Sequence, residues 1–196
     1  MLTTKKSTIE AYMIPLVKSF ARVNPNTLTL LGSIPPVLFF VFVFAHHFII
    51  AEVALLGSSV DLLDGLVART YGKVTKFGGF FDSTIDRIAD FLFITAFAFA
   101  HIVRWELVAP FLLFSFLTSY TRSRGELASG GKLNFAVGIL ERTERLIGIF
   151  LALLFYLLNP AFRLQTLNPA ELVFLLLTIL SVITVTQRII FAYKKL

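Results

Sequence analysis

Residues 61–90 read DLLDGLVARTYGKVTKFGGFFDSTIDRIAD, and almost everything on either side is apolar. The stretch sets Asp61, Asp64, Asp82 and Asp86 among Gly65, Ala68, Arg69 and Gly78. Ionisable groups within membrane segments are rare, usually paired or metal-bound, and functional by default. The fold class therefore turns on whether the flanks cross a bilayer.

Composition says that they do. Of 196 residues, 57% are hydrophobic and 22 are Phe, with a mean hydropathy of +0.82, above the roughly 45–50% apolar content of ordinary globular domains. A crossing helix needs about 20 apolar residues. Six stretches qualify, near 27–46, 48–69, 77–102, 107–125, 136–158 and 169–192. The expectation is an all-α integral membrane protein of six transmembrane helices, a single domain over 1–196 with a juxtamembrane segment at 1–24 and the bundle at 27–192. Residues 7–22 (STIEAYMIPLVKSFAR) predict a short amphipathic surface helix, with Pro15 as a kink. The N-terminal stretch lacks the continuous apolar core and cleavage site of a signal peptide.

Lys5, Lys6, Lys18, Arg22, Arg69, Lys73, Lys76, Arg122, Arg124, Lys132, Lys194 and Lys195 fall on one side of this layout, whereas only Arg104 and Arg163 fall on the other. The positive-inside rule places both termini, and the Asp61–Asp86 stretch, on the cytoplasmic face of the cell membrane. The net charge of +6 is thus topological. No basic stripe interleaved with aromatics points to nucleic acid. Without cysteine, disulfides, thiolate metal sites and a cysteine nucleophile are excluded.

Asp61 and Asp64 are three residues apart, and Asp82 and Asp86 four apart, so each pair shares a helix face. A short turn, TYGKVTKF, makes the two helices neighbours. Four converging carboxylates need neutralising, and Mg²⁺ or Mn²⁺ with substrate phosphate oxygens suits such a donor set. Two metal ions in a carboxylate cluster are usual equipment for displacement at phosphorus. Gly65, Ala68 and Gly78 leave room for close approach, and Arg69 offers a planar donor array for phosphate. The plainer alternative is a solvated network with Arg69, Lys73, Lys76 and Arg87.

The spacing D-x-x-D-G-x-x-A-R-x8-G-x-x-x-D-x-x-x-D matches the signature of the CDP-alcohol phosphotransferases at every fixed position. The chain resembles a minimal member of that family. The resemblance implies a six-helix membrane enzyme, commonly a homodimer, that moves a phosphatidyl-type group from a CDP-linked lipid to an alcohol and releases CMP. It implies that Asp61, Asp64, Asp82 and Asp86 surround two metal ions, and that Gly65, Ala68, Arg69 and Gly78 border the CDP-lipid. Asn26 and Thr29 would lie near the nucleotide. Asp86 would be the general base; the residues themselves do not separate it from Asp82 in that role.

A second constellation bears on the acceptor. Arg122, Arg124, Lys132, Arg142 and Arg145 crowd the cytoplasmic ends of the fourth and fifth spans, which suits an anionic, phosphorylated alcohol. Topology alone is the competing explanation, and Glu141 and Glu144 could neutralise Arg145 and Arg124. SYTRSRGE (119–126), ERTERL (141–146), DSTIDRIAD (82–90) and TVTQR (184–188) are similar to the members that use inositol phosphate. In that subgroup an arginine placed like Arg188 helps hold the acceptor phosphate. Glycerol 3-phosphate is the alternative acceptor. Asp90, continuing the Asp82–Asp86 face, is expected to orient Arg87 or Arg145. His46 and His47 read as an outer loop. A small divalent-cation transporter is the reading from a different class, although acids crowded at one side without internal repeats fit it poorly.

Overall fold

The computed structural model of the protein describes residues 24–58 and 67–196. The predicted surface helix at 7–22, and Asp61, Asp64 and Gly65, lie outside them. Helices α1 (Pro25–Gly32), α2 (Ile34–Phe44), α3 (Phe48–Gly57), α4 (Lys76–Phe99), α5 (Trp105–Ala128), α6 (Arg142–Leu158) and α7 (Pro169–Lys195) account for most of the described chain. Among the described residues no strand forms beyond an isolated Leu164–Leu167 bridge. The all-α expectation holds. Two stretches of the described residues, Pro25–Phe44 and Pro169–Lys195, are long and apolar enough to cross a membrane.

Two predicted spans differ from what forms. The first is broken at Ser33 rather than continuous, because Pro35 and Pro36 lack the N–H groups that would bond back across the break. The Ser33 hydroxyl donates instead to the Leu30 carbonyl at 2.6 Å. The fifth starts at Arg142, not at 136. Residues 129–141 form a strap across the bundle, and Gly138, at φ 129°, holds a backbone conformation that a helix cannot contain.

Helix starts are set by side chains. Asn24 accepts from the Asn26 N–H, with Pro25 at the first helical position. Thr75 opens α4 by accepting from the Gly78 N–H at 2.9 Å. Glu141 with Glu144, and Asn168 with Glu171, form reciprocal capping boxes on α6 and α7. Glu171 also takes Arg104 at 2.8 Å, and the Asn168 amide donates to the Ile102 carbonyl at 2.6 Å. The α4–α5 turn is thereby tied to the head of α7.

The core is an aromatic chain across four helices. Phe39 of α2 meets Phe93 of α4 edge-on at 5.2 Å, Phe97 of α4 meets Phe174 of α7 at 4.9 Å, and Phe111 of α5 meets Phe174 at 5.3 Å. Edge-to-face pairs add about 0.5–1.5 kcal/mol each beyond burial. Small residues set the helix spacing: a Cβ on Gly148 of α6 would overlap the Leu177 side chain of α7. With α1, α2 and α5 packed along it, and α6 and α7 meeting it through side chains, α4 is a post whose first half carries the charged residues.

Candidate active site

Because α4 starts at Thr75 and repeats every 3.6 residues, Asp82, Asp86 and Asp90 climb one face, with Arg87 beside them. Two cavities open on either side of that face. The first, of about 280 Å³, lies between α1, the start of α4 and residues 68–75, and its lining includes Asn26, Thr29, Ala68, Arg69, Lys73, Thr75, Gly78 and Asp82. Gly78 leaves little spare room there: a Cβ would stand 3.0 Å from the Thr75 hydroxyl and 3.2 Å from the Asn26 amide oxygen. The glycine lets the cap and Asn26 converge on one spot. All the described residues expected to border the CDP-lipid (Asn26, Thr29, Ala68, Arg69 and Gly78) line this cavity.

The second cavity, of about 440 Å³, lies between α4, α5, the strap, α6 and α7. Asp82, Asp86, Arg87, Arg122, Arg142, Arg145 and Arg188 line it, with Thr118, Ser119, Ser123, Glu126 and Glu141. Arg142 grips Asp86 at 2.7 Å, and Arg145 donates to Asp90 at 2.9 Å. Arg87 reaches both carboxylates at 3.6 Å. Arg145 and Asp90 are almost wholly buried, so this pair is an internal tie rather than a surface one. The Nε atom of Arg145 is buried without a hydrogen-bond acceptor, and that of Arg87 has the Asp90 carboxylate only at 3.6 Å. Such donors favour an anion at this wall.

Arg188, 2% exposed, is held from three sides. Its Nε donates to the Val137 carbonyl at 2.7 Å, its Nη1 donates to the Thr118 carbonyl, and its Nη2 lies 3.5 Å from Glu141. Arg122 pairs with Glu126 at 3.1 Å and approaches Glu141 at 3.7 Å. The anticipated neutralisation of Arg145 and Arg124 by Glu141 and Glu144 therefore does not occur. Arg145 is taken by Asp90, Glu144 accepts from the Glu141 N–H at 3.0 Å, and Glu141 faces Arg122 and Arg188. Arg124 and Lys132 are exposed and line neither cavity. The sequence reading passed over Ser119, Ser123 and Glu126. Ser119 and Glu126 stand three and four residues from Arg122, and Ser123 four from Ser119, along α5, and that spacing was the available signal.

Carboxylate oxygens on the post suit a hard divalent ion. Among the described residues no three such side chains cluster. Asp82 and Asp86 are carboxylates of the kind such an ion takes, while Asp61 and Asp64, expected beside them, lie outside the described residues.

Comparison with known proteins agrees with this geometry. The family profile described as CDP-alcohol phosphatidyltransferase matches residues 22–187. The chain is 41% identical over 175 residues to archaetidylinositol phosphate synthase of Pyrococcus horikoshii, covering 89% of this chain and 86% of that one. It is 32% identical over 189 residues to phosphatidylinositol phosphate synthase of Mycobacteroides abscessus, covering 89% and 80%. Among solved structures, Mycobacterium tuberculosis phosphatidylinositol phosphate synthase in complex with manganese and citrate superposes with a TM-score of 0.75 at 28% identity, covering 91% of this chain and 88% of that one. The same enzyme with CDP-DAG bound shares the fold at a TM-score of 0.77 and 24% identity, covering 91% and 92%. With the signature spacing, the two cavities flanking α4 and a profile match over most of its length, this chain belongs to the CDP-alcohol phosphatidyltransferase family.

Proposed function

We propose that this chain transfers the phosphatidyl-type group of a CDP-linked lipid, CDP-archaeol or CDP-diacylglycerol, to a hydroxyl of myo-inositol 1-phosphate, releasing CMP. The observation that carries the acceptor assignment is the wall of Arg122, Arg142, Arg145 and Arg188 that lines the second cavity together with Asp86. A neutral alcohol or a zwitterion such as serine needs fewer guanidinium groups, whereas a phosphomonoester suits them, because guanidinium forks match phosphate oxygens. The names of the similar enzymes point the same way.

In this reading the first cavity holds the donor. Asn26 and Thr29 border the nucleotide, Arg69 with the segment around Ala68 and Gly65 borders the diphosphate, and Gly78 keeps the approach open. Asp61, Asp64, Asp82 and Asp86 would hold two Mg²⁺ or Mn²⁺ ions, which supply charge neutralisation at the diphosphate when bound. The arginine wall holds the acceptor's phosphate and turns its hydroxyl towards α4. Asp86 takes the hydroxyl proton as that oxygen forms its bond to the β-phosphorus. The bond from that phosphorus to the bridging oxygen breaks, and CMP leaves with the electron pair. Arg142, 2.7 Å from Asp86, holds the carboxylate in place before the transfer.

The architecture is proposed as six membrane spans, with α1 and α2 sharing the first and α3 beginning the second. Helices α4 and α5 have 24 residues each, roughly 36 Å at 1.5 Å per residue, enough for a hydrocarbon core of about 30 Å. Exposed Leu30, Val41, Ile49, Leu113, Ile147, Leu176 and Ile189 suit a lipid-facing surface. The basic ends support a cytoplasmic location for both cavities at the cell membrane. Homodimerisation is proposed on the family resemblance.

The deciding experiment is a panel of acceptors. CMP release from CDP-lipid with Mg²⁺ is measured with inositol phosphate, glycerol 3-phosphate, inositol and serine, for wild type and Asp86→Asn. Release with inositol phosphate, lost in Asp86→Asn, is expected. Preference for glycerol 3-phosphate would reassign the acceptor. No release with any alcohol, together with divalent-ion flux into liposomes, would replace the enzyme by a transporter.

A further inference from the structure

The strap that replaces the start of the predicted fifth span is fastened to α7 at one side chain. Thr184 is fully buried, and its hydroxyl is completely used. It donates to the Leu180 carbonyl at 2.9 Å, which leaves both lone pairs facing the strap, and these accept from the Leu140 N–H at 3.0 Å and the Ile139 N–H at 3.3 Å. One step back in the chain, a Cβ on Gly138 would overlap the Thr184 methyl. Strap and helix are therefore in contact through both the hydroxyl and the methyl of this residue.

What the strap carries is one side of the second cavity. The Val137 carbonyl takes the Arg188 Nε, the Glu141 carboxylate lies against Arg188 and Arg122, and Glu141 caps the helix that begins with Arg142. Further out, buried Phe135 stands where a Gly125 side chain would be and packs edge-on to Phe191 at 5.1 Å. Those contacts hold the strap's far end; Thr184 holds the end that bears the cavity.

We propose that Thr184 is a positioning residue of the acceptor site, holding residues 137–141 so that Arg188 and Arg142 keep their places on the wall of the second cavity. The inference rests on that cavity being the acceptor site. The first cavity lies across α4 and shares no lining residue with the strap or with Thr184. Loosening the strap should therefore weaken the acceptor and leave the donor alone.

The test is made on the full-length enzyme in detergent, following CMP release while inositol phosphate and CDP-lipid are varied in turn, with thermal unfolding alongside. Thr184→Val keeps the shape but leaves two N–H groups without their acceptor. It should raise the KM for inositol phosphate by about tenfold or more, with the KM for CDP-lipid changed less than about twofold. Thr184→Ser restores the hydroxyl and should recover most of the loss. Gly138→Ala attacks the same contact from the strap's side, leaves α7 intact, and should give the same split; it decides the matter should Thr184→Val fail to fold. An unchanged acceptor KM, an equal rise in both KM values, or a serine variant as impaired as the valine would overturn the inference. A wild type that releases no CMP with inositol phosphate would overturn the acceptor assignment beneath it instead.

Discussion

Replacing Asp90 by Asn tests the energetics of the post directly. The Asp90 carboxylate is 2% exposed, as is Arg145, which donates to it at 2.9 Å; Arg87 and Arg142 stand at 3.6 and 3.7 Å. The substitution keeps the shape and one acceptor oxygen and removes the charge. Arg145 is then a buried cation facing a neutral amide. Breaking a buried pair from one side costs about 3–5 kcal/mol, and the surviving neutral hydrogen bond argues for the lower end. For a chain of this length roughly 3 kcal/mol corresponds to a fall in Tm of about 6–12 °C. The assay is thermal unfolding of the purified protein in detergent, extended to a double-mutant cycle with Arg145→Met. The double variant should be less damaged than the sum of the singles, with a coupling of about 2 kcal/mol. Additive losses, or an Asp90→Asn protein melting within about 2 °C of wild type, would refute the idea that this carboxylate holds Arg145 in the wall.

Other outcomes follow from the same geometry. Arg188→Gln removes the cation held by Thr118, Val137 and Glu141, and should raise the KM for inositol phosphate about 10- to 100-fold with little change for CDP-lipid; equal effects on the two substrates would make Arg188 structural. Gly78→Ala places a methyl 3.0 Å from the Thr75 hydroxyl and 3.2 Å from Asn26, and should raise the KM for CDP-lipid at least about fivefold while sparing the acceptor. Chelation of divalent ions should stop CMP release, Mg²⁺ or Mn²⁺ should restore it, and Asp82→Asn should shift the metal concentration for half-activity upwards by about tenfold or more; activity that survives chelation would count against the carboxylate assignment.

Much of the site could be read from linear spacing, since spacing within one helix is geometry. Asp82, Asp86 and Asp90 share a face because four residues make about one turn, and Asp90 does meet Arg87 and Arg145 as expected. Pairings between distant segments were not legible. Glu141 sits beside Arg142 and Arg145 in sequence, yet it faces Arg188, from another helix. Hydropathy also misread the strap: Phe135 is apolar because it packs on α5 and α7, and Leu140 because it joins the buried core, not because they continue a span. The break at Ser33 was hidden for the opposite reason. Two prolines hardly alter an average over twenty apolar residues, but they remove donors from the backbone. The expectations for Asp61, Asp64 and Gly65 stay with the family signature.

Asp82 belongs to the lining of both cavities, and Asp86 follows four residues later, roughly 6 Å along the axis. If donor and acceptor occupy the two sides as proposed, α4 is a party wall between them, and the reacting groups meet at its face without a lid having to carry one to the other. A shared wall also makes the two bindings reciprocal. Whatever factor a bound CDP-lipid imposes on the affinity for inositol phosphate, the acceptor must impose on the donor. The order in which the substrates arrive would then change the rates and leave the energy of the filled site untouched.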